Sequence, residues 1–340
     1  MRIYVAIGWE DDLSRAVLEV FRTLAALDRV HEHELESDPQ VADAILFVDL
    51  NEHWADRSYR VHRTHELARK YRDKVFVYNA HDQPLFVFPG IYVSGSPRWV
   101  ARFRTMIGGP YASLISPSEC DHNPPDLLFS FLGSRTHPVR DVVLSLDHPR
   151  ALVEDTTGID FAARGRDLDE ELSVAKDRYV NAIARSKFVL CPRGFGSSSI
   201  RLFETLRAGR VPVVISDDWL MPPRVEWSNC IVRVAEADIL RLPELLEERE
   251  NDWAELVRAG RAARDEFSQD HLWHHYATSL SQLAVIPRRR RPWWAQRRVV
   301  RGVAAASSAW ARSHSGGLPS MRAAGRQHSR CDGSQAVARR

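Results

Sequence analysis

Ser186 to Trp219 reads SKFVLCPRGFGSSSIRLFETLRAGRVPVVISDDW, and this stretch decides the fold. Phe188 to Cys191 is an apolar run short enough and sharply enough flanked to be a buried strand. Pro192-Arg193-Gly194-Phe195-Gly196 breaks it, since glycine and proline punctuate local structure most strongly. Ser197, Ser198 and Ser199 are helix N-cap candidates. Ile200, Leu202, Phe203 and Leu206 supply the apolar face of a short helix. Gly209 ends that helix, because it takes a left-handed conformation without a Cβ clash. Val211 to Ile215 is a second buried strand, closed by Ser216-Asp217-Asp218. The stretch is one βαβ unit.

The chemistry of such a unit points to an anion. A glycine loop running into a helix leaves main-chain N–H groups free near the positive end of the helix dipole. The hydroxyls of Ser197, Ser198 and Ser199 and the forks of Arg193 and Arg201 add donors suited to phosphate oxygens. Arg201 and Glu204, three residues apart, share a helical face, so an arginine can hold a diphosphate while a carboxylate accepts from ribose hydroxyls. An ordinary strand–helix connection with a solvated Arg/Glu pair accounts for the spacing equally well. GFGSSS lacks the third glycine of a dinucleotide fingerprint, and no Gly-Lys-Ser/Thr follows for a Walker loop.

These residues resemble the signature of the exostosin-like glycosyltransferases, which include the heparan sulfate polymerases and plant cell-wall transferases. The likeness runs through SKFVLCPRGFG, S-x-RLFE, L-x-AG and VPVVISDDW with the prolines after it. It implies the α/β, GT-B type of fold, with two doubly wound Rossmann-like lobes facing a cleft. It also implies a nucleoside-diphosphate sugar donor, with a UDP-sugar expected, and inversion at the anomeric carbon with no cofactor and no bound metal. The acceptor it implies is a hydroxyl of a saccharide or lipid-linked glycan. LLFSFLGS, a strand ending in Gly133, resembles a second part of the family pattern, and the likeness makes Arg135 and Arg140 diphosphate contacts. Donor binding is thus expected at Gly133, Arg135, Arg140, Arg193, Gly194, Gly196, Ser198, Ser199, Arg201, Glu204, Asp217 and Asp218, the last two touching the donor sugar.

A chain of 340 residues can bury two cores, and its 44% hydrophobic and 27% charged residues are those of an ordinary soluble protein. Its net charge of +2 hides an asymmetry. Residues 287–340 carry 13 arginines against the single acid Asp332, so the first 286 residues sum to −10. Cys120, Cys191, Cys230 and Cys331 form no CxxC or Cys/His spacing, which argues against a structural zinc site and for a reducing compartment. The opening MRIYVAIGWE is too short an apolar run for a signal peptide, and no segment reaches the eighteen apolar residues of a membrane span. A cytoplasmic protein is expected, in contrast to the membrane-anchored animal and plant relatives. The Arg- and Trp-rich tail reads first as a solvated segment, second as a peripheral contact with the inner membrane face, and third as a contact with nucleic acid.

Along the chain, strands are expected at 2–8, 44–50, 75–78 and from Leu127, with helices at 14–27, 59–71 and 178–184. Further helices are expected near 239–248, 252–267 and 271–283. Strands alternating with helices argue for parallel, doubly wound sheets. The expected division is an acceptor-side lobe over 1–125, a donor lobe over 126–286 and a basic tail over 287–340. Ligands bind beyond the carboxyl ends of such strands, which here carry Glu10, Asp11 and Asp12, then Asp49, Asn51 and His53, then Asn79, His81 and Asp82. From this group Asp82 is the expected general base that deprotonates the acceptor, with His81 as the alternative. His271, His274 and His275 have i, i+3, i+4 spacing, but HLWHHY fits a helix packed by aromatic rings better than a metal site. The rival function is a non-catalytic nucleotide- or nucleic-acid-binding protein that uses the basic tail.

Overall fold

The computed structural model describes residues 1–49, 59–82, 84, 86, 88–98, 100, 105–112, 124–159 and 170–286. The basic tail, Asn51 and His53 lie outside the described residues. Two parallel sheets follow one another along the chain. The first has strands β1 (Arg2–Ala6), β2 (Glu34–Leu35), β3 (Ala44–Phe47), β4 (Val75–Asn79), β5 (Gly90–Tyr92) and β6 (Met106–Gly108), in the order β2-β1-β3-β4-β5-β6. The second has β7 (Leu127–Gly133), β8 (Ala151–Asp155), β9 (Ser186–Pro192), β10 (Val211–Ile215) and β11 (Val232–Arg233), in the order β11-β10-β9-β7-β8. Every pairing is parallel, so each sheet is covered by helices and its central strands are continuously apolar. These are two Rossmann-like lobes, as the resemblance implied.

The Asp12–Leu27 helix starts where Asp11 accepts from the Ser14 N–H at 2.7 Å, and buries Phe21 and Leu24. The expected helix over 59–71 is two short ones, Arg60–Thr64 and Glu66–Lys70. His65 leaves the helical region between them (φ −60°, ψ 142°), and its Nδ1 caps the second by accepting from the Leu67 N–H at 3.2 Å. The strand expected over 44–50 ends at Phe47. In the second lobe Gly209 takes φ +66° and stops the Arg201–Arg207 helix, as its position requires.

The last described helix, Leu272–Ala284, leaves the second lobe and packs on the first. Tyr276 meets Phe21 and Tyr78 at ring-centroid distances of 5.1 and 5.6 Å, and its hydroxyl donates to the Pro110 carbonyl at 3.2 Å. The core under the first sheet therefore contains Trp273, Tyr276 and Leu280 beside Ile3, Phe21 and Phe76, and runs on into Leu202, Phe203 and Trp219 of the second lobe. A separate core of Phe129, Phe131, Leu190, Val213 and Leu242 fills the far face of the second sheet. Among the described residues no helix is long and apolar enough to cross a membrane.

Candidate functional site

The order of the second sheet fixes where its loops open. The chain runs from β7 outward to β8 and then returns to lay β9 on the other side of β7, so the loops after β7 and β9 diverge. A ligand crevice forms at such a switch point. After β7, Ser134 to His137 lead into the Pro138–Leu144 helix, which opens with proline and is capped by His137 Nδ1 accepting from the Val139 N–H at 3.3 Å. After β9 comes the glycine loop, Arg193 to Ser199.

Arg140 stitches the two loops together. Its Nε donates to the Arg193 carbonyl at 2.9 Å and its Nη1 to the Ser134 carbonyl at 3.2 Å. Burial and the neighbouring charge of Arg201 lower its pKa to about 10, which leaves it a cation at neutral pH. Arg193 Nη1 lies 3.7 Å from Glu236 Oε1, while its Nε is buried with no hydrogen-bond partner. Thr136 Oγ1 is likewise buried and unpartnered. A Cβ at Gly194 would come within 3.1 Å of that hydroxyl and 3.2 Å of Arg140 Nη2, so the loop backbone seats directly on both. Burial and the charge of Arg193 hold the His137 imidazole below its usual pKa. This corner presents cationic and hydroxyl donors, a set that suits phosphate oxygens.

The other end of the glycine loop lies against the first lobe. A Cβ at Gly196 would stand 2.5 Å from Ser94 Oγ and 2.7 Å from Asp82 Oδ1, so only glycine allows this approach. The Gly196 N–H donates to the Asp82 carboxylate. Asp82 is open to solvent on one side. Protein crowding on the other side raises its carboxyl above the usual range, against the opposing pull of Arg140 and of that N–H. Ser198 Oγ lies 2.6 Å from Ser94 Oγ and 2.7 Å from the Tyr111 hydroxyl. Ser197 Oγ donates to the Gly95 carbonyl at 3.3 Å. Asp218 accepts from Ser96 Oγ at 2.7 Å and pairs with Arg98 Nε at 3.5 Å. Trp219 Nε1 donates to the Val93 carbonyl at 3.0 Å, so the DDW run bolts the second lobe to the first. Phe195 stands between the two pinned glycines with 49% of its surface exposed.

Several residues expected to bind donor lie elsewhere. The Arg201 guanidinium is buried inside the second lobe, 4.6 Å from the Phe131 ring centroid, with Nε donating to the Tyr179 hydroxyl at 3.1 Å and Nη2 to the Leu132 carbonyl. It braces β7 and β9 from beneath instead of facing the loop. Gly133 leaves room for it, since a Cβ there would meet Phe131 at 2.6 Å and Arg201 Nη2 at 3.2 Å. Glu204 accepts from the Tyr179 hydroxyl at 2.5 Å, which links it to the same bracing group. Arg135 is half exposed and committed to Asp155 at 2.6 Å and Asp141 at 2.8 Å. The serines do not cap the helix. It begins at Arg201 with Ile200 in the cap position and no side-chain cap, and buried Ser199 contributes only its carbonyl, to the Leu202 N–H. Asp217 and Glu236 exchange main-chain N–H bonds at 3.1 and 3.2 Å, which leaves Asp217 on the rim. His81 is half-buried, and its N–H donates to Asn79 Oδ1 at 2.9 Å.

The structure thus brings Arg140, Arg193, Gly194, Gly196, Ser198 and Asp82 into one neighbourhood. It adds Thr136, Glu236, Ser94, Tyr111 and Phe195, none of which the sequence alone assigns a role in the site. Phe195 carried a signal, as a large apolar residue between two glycines. Ser94 and Tyr111 carried none, because only the meeting of the lobes gives them partners.

The exostosin GT47 domain matches residues 43–249, well over half of the chain. The chain belongs to that family. Over 70 residues it is 49% identical to the exostosin-1 homolog of Caenorhabditis elegans, a match covering 20% of this chain and 18% of that protein. Over 71 residues it is 42% identical to the probable glucuronoxylan glucuronosyltransferase IRX7 of Arabidopsis thaliana, covering 20% and 16%. The matched segments thus span under a fifth of these relatives' length. Among solved structures the chain is similar to a glycosyltransferase from Rickettsia africae, with a TM-score of 0.41 and 11% identity over 84% of this chain and 99% of that one. It is also similar to Anabaena Alr3699/HepE in complex with UDP, with a TM-score of 0.38 and 12% identity over 83% and 100%.

Proposed function

We propose that the protein is an inverting glycosyltransferase that moves a sugar from a nucleoside-diphosphate sugar, a UDP-sugar being the expected donor, to a hydroxyl of a saccharide or lipid-linked glycan. The observation that carries this reading is the switch point of the second sheet, where Arg193 Nε and Thr136 Oγ1 are buried without partners beside Gly194 and Arg140. Buried donors without partners cost about 1–3 kcal/mol each, a cost that a bound diphosphate relieves. Family membership supports the donor class, and the exostosin and glucuronosyltransferase names of the relatives support the reaction class.

In the proposed reaction the acceptor oxygen forms its bond to the anomeric carbon as the bond from that carbon to the diphosphate oxygen breaks. The electron pair leaves with the diphosphate. Arg193, Arg140, the Thr136 hydroxyl and the Gly194 main chain meet the charge that grows there. The acceptor proton passes to Asp82, whose raised carboxyl is a stronger base than an ordinary aspartate. Arginines take over the charge neutralisation that a divalent cation supplies in other transferases, so the reaction needs no metal. A cytoplasmic location, with the basic tail resting on an anionic membrane, belongs to the same proposal.

Calorimetric titration with UDP, GDP and ADP, followed by product analysis with the matching sugar donors, tests this reading. Expected are binding of one diphosphate, inverted product, and a drop in transfer rate of roughly 10²–10⁴ in Asp82→Asn with diphosphate binding retained. No response to any nucleoside diphosphate by the folded protein overturns the donor site. Retained transfer in Asp82→Asn overturns the assignment of the base.

A further inference from the structure

Away from the lobe junction, the turn before β2 and the Leu272–Ala284 helix bring three metal-ligand side chains together. Glu32, His33 and His274 each offer one ligand atom, and these atoms lie within 4.8 Å of one another. The two imidazole rings are 5.3 Å apart and tilted by 34°. Glu32 is exposed and free to swing, His33 is half-buried, and His274 is only 8% exposed. His274 Nε2 faces Arg224 Nη2 at 3.3 Å and Thr278 Oγ1 at 3.4 Å. His274 Nδ1 is buried with no hydrogen-bond partner and points toward Glu32, 3.8 Å away. Thr278 Oγ1 also lies 3.0 Å from His33 Nε2, so one hydroxyl sits between both rings.

We infer that Glu32, His33 and His274 form a binding site for a divalent transition-metal ion of the zinc type. Two imidazoles and one carboxylate form a common ligand set for zinc, with water or the Thr278 hydroxyl completing four-coordination. Bonds of about 2.0–2.1 Å place tetrahedral ligands roughly 3.3 Å apart, a little closer than the 3.8 Å between Glu32 and His274. The ligand atoms otherwise lie within 4.8 Å of one another, so the exposed Glu32 and the half-buried His33 side chains have to draw in around the ion. Ligation through Nδ1 puts the ring proton of His274 on Nε2, where Thr278 Oγ1 is the available acceptor and the Arg224 N–H, now facing that nitrogen, has to turn aside. Two cations stand near the ion: Arg224, whose Nε is held by Glu266 Oε1 at 2.9 Å, and the Met1 ammonium, 3.2 Å from His33 Nδ1, which has to move away or lose its proton when the metal binds. The ligands come from segments about 240 residues apart, so the ion would clamp the Leu272–Ala284 helix onto the first lobe. The site lies apart from the glycine loop and is independent of the transferase reading.

The experiment uses the full chain, stripped with a chelator and dialysed, then titrated with Zn²⁺ by calorimetry. Co²⁺ is bound in parallel to read geometry from its visible spectrum. One saturable equivalent is expected, with thermal unfolding raised by on the order of 5 °C at about a hundred times the dissociation constant. Glu32→Gln and His33→Gln should each weaken binding by roughly 10-fold or more. Both sit near the surface, so they remain informative if His274→Ala fails to fold. His271→Ala, outside the cluster, should bind as the parent does. Absence of saturable binding overturns the site. So does binding unchanged in Glu32→Gln and His33→Gln, which would point to His314, His328 or Cys331 of the tail.

Discussion

Each sheet has one switch point, and the two are filled in opposite ways. Between β1 and β3 of the first lobe, the main-chain N–H groups of Gly8 and Trp9 both donate to the Asp49 carboxylate at 2.8 Å, and His62 Nε2 meets its other oxygen at 2.7 Å. The protein supplies its own anion there. Between β7 and β9 of the second lobe, among the described residues, Glu236 comes only within 3.7 Å of Arg193 Nη1, and Arg193 Nε and Thr136 Oγ1 are buried with no hydrogen-bond partner. Topology offers the same crevice twice. Side-chain chemistry closes the first and leaves donors without partners at the second, where the proposed function puts the diphosphate.

The largest effect should come from breaking the closed corner. Asp49 and His62 are 1% and 2% exposed, and removing the carboxylate leaves the Gly8 and Trp9 N–H groups and the His62 ring without their acceptor, at about 1–3 kcal/mol each. Asp49→Ala should therefore shift the urea midpoint strongly downward. Little change would show that the corner is not held by its internal anion. The pair also sets an acid limit. Burial raises the Asp49 carboxyl, but the His62 and main-chain hydrogen bonds outweigh it and bring the folded pKa below the ordinary value. Its stabilisation is present above the unfolded value of about 3.9 and is lost as pH falls through the lower folded value. The stability gap between parent and Asp49→Asn should narrow over that range in acid denaturation, and a constant gap would contradict the linkage.

In the open corner, Arg193→Ala should lower diphosphate affinity by about 1.5–3 kcal/mol, the range of a charge-assisted hydrogen bond, without changing the urea midpoint. A large loss of stability instead would mean that Arg193 is structural, like Arg201. The smallest effect is expected at the seam between the lobes. Ser198→Ala removes the contacts to Ser94 and Tyr111 and should cost about 1 kcal/mol of stability. An effect on diphosphate affinity alone would move Ser198 from the seam into the donor site.

Much of the fold could be read from local chemistry. The signature stretch folds as strand, loop, helix and strand because its apolar runs and glycines leave few alternatives, and Gly209 stops the helix with the left-handed φ that only glycine takes easily. The three-residue strand β6 escaped notice because it follows the basic run WVARFRT and is too short to show a period. At the site, residue types were legible and directions were not. Arg201 and Glu204 do share a helical face, as their spacing requires, yet that face meets Tyr179 and Phe131, which come from segments far away in sequence. The serines have the composition of a cap and the partners of an interface. Such reversals arise wherever long-range packing outweighs local preference.

The return of the Leu272–Ala284 helix to the first lobe also bears on how the chain folds as it is made. The ring contact between Phe21 and Tyr276 spans about 255 residues, so the core under the first sheet cannot close until almost all the described chain has emerged. At roughly 5–20 residues per second the first lobe waits tens of seconds for its final helix, with Phe21 and Tyr78 uncovered on that side. The second sheet needs no such distant partner between residues 127 and 233. The lobe that is synthesised first is the one that finishes last.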